Sequence, residues 1–316
     1  MTFAPYYSKK SLNIREVKHL AQRLGYPESL LVNLALKSAE NYKPEKREPK
    51  KSGGFRVINE PRAVLKLVQK KINRLLQELK LPPNFFGSVK HKSPIQNAKE
   101  HVNQNFVACF DIRDYFPSIH YERIRAVFVR LGCSPEVSAL LTNLTSYEHH
   151  LPQGAPTSST IANLVFAEKE KRFSALAKQH GLKVTFYQDD ITFSGKRDIS
   201  KLKNLIRKMI FQVGFETQEK KVKITHRTQK QEVMGLEVNN VLEVPQKHIQ
   251  ALVDDILKYE LGEISKKMNR DSFLGRILYV TSVDSKKGSE LFSRFKEADQ
   301  KRARIKNVPI LQQSTI

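Results

Sequence analysis

The tightest constraint on what this chain can fold into is the stretch Val184-Thr185-Phe186-Tyr187-Gln188-Asp189-Asp190-Ile191-Thr192-Phe193. Apolar, β-favouring residues flank an adjacent pair of acids, which predicts two short strands of one hairpin with the acids at the bend. Two ionised neighbours repel, so holding both on a tight turn between half-buried strands costs stability unless a cation neutralises them. A metal site is the leading reading of this segment. A solvated Asp-Asp turn is the competing one, and both stay open on the segment alone.

Charge points to the kind of partner. The net charge is +23 and the pI about 9.9, which implies a polyanion, with nucleic acid ahead of a lipid surface. Residues 1–110 hold 21 Lys and Arg against 8 Asp and Glu, so the front third is where a phosphate-facing surface is expected; Lys50, Lys51, Lys90 and Lys92 are candidates. No apolar run approaches the ~20 residues that span a bilayer. The start Met1-Thr2-Phe3-Ala4-Pro5 lacks the basic and apolar regions of a signal peptide, so a cytoplasmic protein with no membrane partner is expected. Cys109 and Cys133 have neither CxxC spacing nor a nearby His-x-x-x-His, which argues against a disulfide framework or a zinc site. Cys109 reads as a small buried hydrophobe.

With 316 residues, 40% of them hydrophobic, the chain can bury a substantial core, as one extended domain or as two to three subdomains. Asn13 and Glu16 have capping-box spacing ahead of a helix that Gly25 ends, and a second helix follows Pro27. Residues 43–54 are too polar and too rich in Pro and Gly to pack, and read as an exposed loop or hairpin tip before a strand from Phe55 to Ile58. Val64, Leu65, Val68, Ile72, Leu75, Leu76 and Leu79 form the apolar stripe of a helix that stops at Pro82-Pro83. Downstream are a strand from Phe106 to Asp111, a helix over 121–131 and one long helix over 157–179. The acid hairpin, a helix from Ile199 to Val213, a strand pair around 221–225 and 232–238, and a helical tail from Gln246 to about Arg304 complete the pattern. Strands and helices alternate without strict βαβ spacing, which predicts an α+β fold with an antiparallel sheet covered by helices on one face.

A third acid, Asp111, ends an apolar strand and is followed by Ile112-Arg113-Asp114-Tyr115-Phe116-Pro117-Ser118, a turn expected to leave the carboxylate exposed. Three carboxylates from strand ends in a basic protein suit two Mg²⁺ ions, since hard cations take oxygen ligands and complete their shells with water and substrate phosphate. Between the acids lies Leu151-Pro152-Gln153-Gly154-Ala155-Pro156, a Pro/Gly turn running into a helix start, where glycine permits close backbone approach.

Taken in order, these segments resemble the reverse transcriptase family, from about Arg56 to the C-terminus. Residues 110–119 resemble its first catalytic motif, residues 151–156 its template- and nucleotide-positioning motif, and Tyr187-Gln188-Asp189-Asp190 its second catalytic motif. The resemblance implies a right-hand polymerase with an antiparallel palm sheet and a helical thumb. N-terminal helices and fingers, with part of the palm, would occupy 1–105; the palm 106–240, with a fingers element around 120–160; and the thumb 241–316. It further implies that Asp111, Asp189 and Asp190, with the backbone of Ile112, hold two Mg²⁺ ions. Phe116 would exclude a 2′-hydroxyl, Gln153 and Gly154 would line the incoming deoxynucleoside triphosphate, and Arg56 would contact its phosphates. Lys221, preferred over Lys220 in a segment resembling the next motif, would protonate pyrophosphate. Residues 232–236 resemble the primer grip.

Within the family, the retron branch fits best. Asn97-Ala98-Lys99-Glu100-His101 matches the Asn-Ala-x-x-His element of retron enzymes, and residues around Arg276 look like their helical thumb, so Asn97, His101 and Arg276 are expected to bind RNA. Two residues depart from the pattern: Gln188 stands where Ala is usual, and Val233-Met234-Gly235 replaces Val-Thr-Gly. What the branch implies is reverse transcription of a cognate structured non-coding RNA into a branched RNA-DNA molecule, in antiphage defence beside an accessory effector protein. A host RNase H would remove the copied RNA. The alternatives are a group II intron, diversity-generating or abortive-infection reverse transcriptase, or a non-catalytic RNA-binding scaffold of polymerase fold.

Overall fold

The computed structural model describes residues 11–49, 53–263 and 269–306. Helices α1 (Val17–Leu24) and α2 (Glu28–Leu36) open the chain. The capping box does not form. Glu16 is the N-cap, while Asn13 donates its backbone N–H to the Leu131 carbonyl at 3.1 Å and accepts from the Ser11 hydroxyl. Docking of the N-terminal segment onto a later turn has taken the capping residue for itself. The polar 43–54 segment is a hairpin: β1 (Lys46–Pro49) pairs antiparallel with β2 (Phe55–Ile58), and Lys50 and Lys51 lie outside the described residues. Helix α3 (Ala63–Leu76) buries Leu65, Val68, Ile72 and Leu76, whereas Val64 is exposed.

A short helix, α4 (Pro94–Lys99), precedes β3 (Phe106–Asp111). Helices α5 (Tyr121–Arg130) and α6 (Pro135–Thr145) follow, the latter started by Ser134, whose hydroxyl caps the Val137 N–H. The long helix expected over 157–179 is two: α7 (Ser158–Ala167) and α8 (Glu170–His180). No breaker residue marks the joint. It is set by tertiary contacts, because the buried Glu170 carboxylate accepts from Asn84 at 2.7 Å while Glu168 reaches Arg130 at 3.0 Å.

The central sheet has the order β4-β5-β3-β6, all antiparallel, with β4 (Leu182–Tyr187), β5 (Asp190–Gly195) and β6 (Lys223–His226). Helix α9 (Lys203–Gln212) lies between β5 and β6 in the chain. The expected pairing of 221–225 with 232–238 does not occur: β6 joins the central sheet, and β7 (Glu232–Val233) forms its own hairpin with β8 (Leu236–Glu237). The tail is three helices, α10 (Gln246–Leu261), α11 (Arg270–Val283) and α12 (Ser285–Lys306).

Period-two alternation divides the sheet between two cores. Ala108 and Phe110 of β3, Val184 and Phe186 of β4, and Ile191 and Phe193 of β5 face the larger one, with α1, α2, α3, α5, α6, α7, α8 and α9. Val107 faces the smaller one, built from Ala98, the β7–β8 hairpin and α10 to α12. Asp111 and Asp190, which are direct register partners, belong by the same alternation to this second face. A one-residue slip would turn both acids into the helical core, so burial of Phe110 and Ile191 holds the carboxylates in place.

Candidate active site

The acids meet because three strands end together. Asp111 closes β3, Asp190 opens β5 opposite it, and the Ile112 N–H donates to the Asp189 carbonyl at 2.8 Å, tying the turn to the strand end. Asp111 is not the exposed carboxylate expected: its side chain is 15% exposed and accepts from Lys221 Nζ at 2.8 Å. Burial, with repulsion from Asp189 and Asp111, pushes the Asp190 carboxyl up to about 7. Lys221 opposes that shift, and its own ammonium is held above the ordinary lysine range first by the hydrogen bond to Asp111.

One lysine facing three crowded acids is an electrostatic deficit that divalent cations fill, and the oxygen donors suit hard ions. Among the described residues no three His, Cys, Asp or Glu side chains already stand as a metal cluster.

An open cleft of about 810 Å³ gathers the other candidates. Arg56, Asp111, Phe116, Gln153, Asp189 and Lys221 all line it, joined by Pro49, Arg113, Asp114 and Gln218. Lys220 is exposed and not among the lining residues. Arg56 projects from β2, with Nε 3.4 Å from Glu48. The β1–β2 hairpin is docked onto the 151–156 turn, where the Asn59 N–H donates to the Gln153 carbonyl at 2.8 Å. Gly154 has φ +122, and a Cβ there would meet Ile58 at 3.0 Å and Asn59 O at 3.2 Å. Its close backbone approach is therefore made to the hairpin. Neither Gly154 nor Asp190 lines the cleft. Gln218 carries no local signal in the sequence; it arrives because its N–H bonds the Asp111 carbonyl.

The expected RNA-binding residues fall elsewhere. Asn97 and His101 are 1% and 0% exposed, so neither presents an atom to nucleic acid. His101 instead bridges the sheet: Nε2 lies 2.7 Å from Thr185 Oγ1 on β4 and Nδ1 2.7 Å from Ser194 Oγ on β5. It is a strut on the acid-bearing face, with α4 packed over it. Arg276 on α11 lines a separate groove beside α10 and donates to Asp255 at 2.6 Å.

Burial lowers the His101 pKa from 6.5 to about 3. Between those two values the unfolded chain binds a proton that the folded histidine does not, so this stability is full above about 6.5 and is lost progressively as the pH falls toward about 3. Relative to His101→Gln, the wild-type unfolding free energy from urea titration is expected to fall between pH 7 and 5 by roughly 1–2 kcal/mol. Parallel curves for the two proteins would remove the neutral strut.

Gln188, at the turn, has φ +55, and both amide atoms are buried without a protein hydrogen bond. The side chain is wedged at Gly87, where a Cβ would stand 2.9 Å from its Cγ. An unsatisfied amide costs about 1–3 kcal/mol, so Gln188→Met, similar in shape, is expected to raise the unfolding free energy by about 1 kcal/mol. An unchanged or lower denaturant midpoint would mean that the amide is satisfied, for example by water.

Residues 48–238 match the family model described as reverse transcriptase (RNA-dependent DNA polymerase). The retron Ec86 reverse transcriptase of Escherichia coli is 30% identical over 82% of this chain and 81% of that protein. This chain belongs to the retron reverse transcriptases. The retron Mx65 enzyme of Myxococcus xanthus is 29% identical over 78% of the chain and 63% of its own length, and the retron Se72 enzyme of Salmonella heidelberg 32% identical over 67% and 58%. The retron enzyme described here thus spans most of the first relative but about three fifths of the other two. A telomerase structure from Candida albicans superposes with a TM-score of 0.50 at 10% identity, over 88% of this chain and 61% of that one, which shows the right-hand polymerase fold. The family's chemistry is RNA-directed DNA synthesis with divalent metal ions. No helix of the described residues is long and apolar enough to cross a membrane.

Proposed function

We propose that this retron reverse transcriptase copies a structured non-coding RNA of its own into DNA, starting from an internal guanosine 2′-hydroxyl and leaving RNA and DNA joined. The cleft that brings Arg56, Phe116, Gln153 and Lys221 to Asp111 and Asp189 is the observation that carries the reading. In it, residues 1–105 supply the fingers and part of the palm, 106–240 the palm and 241–316 the thumb. Asp111, Asp189 and Asp190, with the Ile112 carbonyl, would hold two Mg²⁺ ions. When bound, such ions neutralise the acids and the triphosphate and favour the ionised primer hydroxyl.

The chain's own groups do the rest. Arg56 exchanges its loose contact with Glu48 for the phosphates of a deoxynucleoside triphosphate, a bidentate role that guanidinium geometry suits. Phe116 lies under the sugar and leaves no room for a 2′-hydroxyl. Gln153 lines the nucleotide from the turn, and Gly154 holds that turn against the fingers. Lys221, kept protonated by Asp111, delivers a proton to departing pyrophosphate. In the thumb, Arg276, its side chain 36% exposed beside a groove of about 450 Å³, is offered to the RNA.

The cellular setting that fits is cytoplasmic antiphage defence, with an accessory effector protein and a host RNase H that removes the copied RNA. Sequencing of nucleic acid co-purified with the protein tests the reading. A 2′–5′ branched RNA-DNA molecule is the expected result; free or protein-primed DNA would sink the retron-type product.

A further inference from the structure

The sugar gate proposed at Phe116 is not held by its own contacts alone. Its ring packs against Tyr115, with centroids 5.4 Å apart, and Tyr115 packs against Phe215 at 5.5 Å. Tyr115 is 5% exposed and Phe215 2%, so the lower rungs of this aromatic stack are set in the core. The far end is closed by Arg123 of α5. Its guanidinium lies over the Phe215 ring, 4.2 Å from the centroid, and donates to the Val213 carbonyl at 2.9 Å and the Gly214 carbonyl at 3.0 Å. Those two carbonyls follow the C-terminus of α9, where a cation is favoured by the helix dipole.

Arg123 therefore grips the segment 213–216 at three points: two carbonyls and a ring. That segment runs beside the acid-bearing strand end, because the Arg113 N–H donates to the Glu216 carbonyl at 2.7 Å and Ile112 bridges Thr217. Phe215, whose ring also packs on Phe166 at 5.6 Å, is held against Tyr115 with the help of this grip. Arg123 itself does not line the cleft, so it meets no nucleotide there.

We propose that Arg123 is a positioning residue for sugar selection: by fixing Phe215 beneath Tyr115 it sets the height of Phe116 against the nucleotide. Lysine cannot reproduce the planar fork on two carbonyls while stacking on the ring, so Arg123 is not replaceable by charge alone. The inference rests on the reading of Phe116 as the sugar gate. A gate that relaxes by a few tenths of an ångström admits the extra hydroxyl without losing its normal substrate. The expected signature is accordingly a change in the ratio between two substrates rather than a loss of rate.

The test uses the full chain on a primed RNA template with cytidine as the templating base. The specificity constant kcat/KM is measured for dGTP and for GTP in wild type, Arg123→Met, Arg123→Lys, Phe116→Val and the Phe116→Val/Arg123→Met double variant. Arg123→Met is expected to lower the dGTP-to-GTP ratio by about tenfold, within the range that shape discrimination by a pocket supplies. Arg123→Lys should recover part of that loss, through the ring contact, and serves as the reading should the methionine variant fail to fold. In the Phe116→Val background the second change should leave the ratio unaltered, since the gate it positions is gone.

Equal losses for dGTP and GTP in both Arg123 variants would mean a purely structural role and overturn the proposal, as would full additivity in the double variant. If Phe116→Val leaves the ratio unchanged, the gate reading itself fails. If Phe116→Val collapses the ratio while both Arg123 variants preserve it, the gate stands and the role of Arg123 does not.

Discussion

Replacing Asp189 and Asp190 together by Asn is expected to reduce DNA synthesis by about 10⁴-fold or more, while RNA binding stays within a few-fold of wild type. A loss of that size corresponds to roughly 5.5 kcal/mol of transition-state stabilisation. Asn keeps the shape of Asp and removes its charge. The hairpin is held by Val184, Phe186, Ile191 and Phe193 in the core, and the Ile112 contact uses the Asp189 backbone, so neither is touched. The fold should even gain, because Asp190 is crowded by two like charges and burial. Primer extension and RNA binding by filter retention separate the outcomes. Unchanged synthesis would refute the metal role of the pair, and a parallel loss of RNA binding would indicate damage to the fold instead.

Removing Lys221 is expected to have the next largest effect. Lys221→Ala should lower kcat by about 10²- to 10³-fold, the usual worth of a placed proton donor. Its ammonium sits 2.8 Å from Asp111, in the cleft, and that contact keeps it charged across the neutral range. Arg preserves the charge and the reach to Asp111 but surrenders its proton far less readily. Lys221→Arg should therefore restore nucleotide KM more than it restores kcat. Full recovery of kcat by Arg would assign Lys221 an electrostatic role and exclude proton delivery.

Much of the site was legible because its parts are local. An apolar strand ending in an acid, and a hairpin bent at two acids, each announce themselves within ten residues; that Asp111 and Asp190 are cross-strand partners is a finding of the structure. Long-range competition decided what was not legible. Asn13 looked like a cap but bonds the Leu131 carbonyl, and the helix expected over 157–179 breaks where Glu170 is drawn to Asn84. The strand at 223–226 pairs with β3 rather than with its neighbour in the chain, which no local pattern records.

The element Asn97-Ala98-Lys99-Glu100-His101 shows the same limit in function. Its resemblance to the retron Asn-Ala-x-x-His element implied contact with RNA, yet the fold uses Ala98 in the smaller core and His101 between two hydroxyls of the sheet. Residue identity cannot say whether a histidine faces solvent or a sheet, because both environments offer it hydrogen-bond partners.

By itself the sequence marked which carboxylates stand at strand ends, and its charge of +23 pointed to a polyanionic partner. The tertiary structure alone decided that Lys221 pairs with Asp111, that the β1–β2 hairpin docks onto Gln153, and that Arg123 lies over the Phe215 ring at the far end of the aromatic contacts leading to Phe116. Those contacts join residues up to 110 positions apart. They depend on how whole faces pack, and short-range propensities carry no record of that.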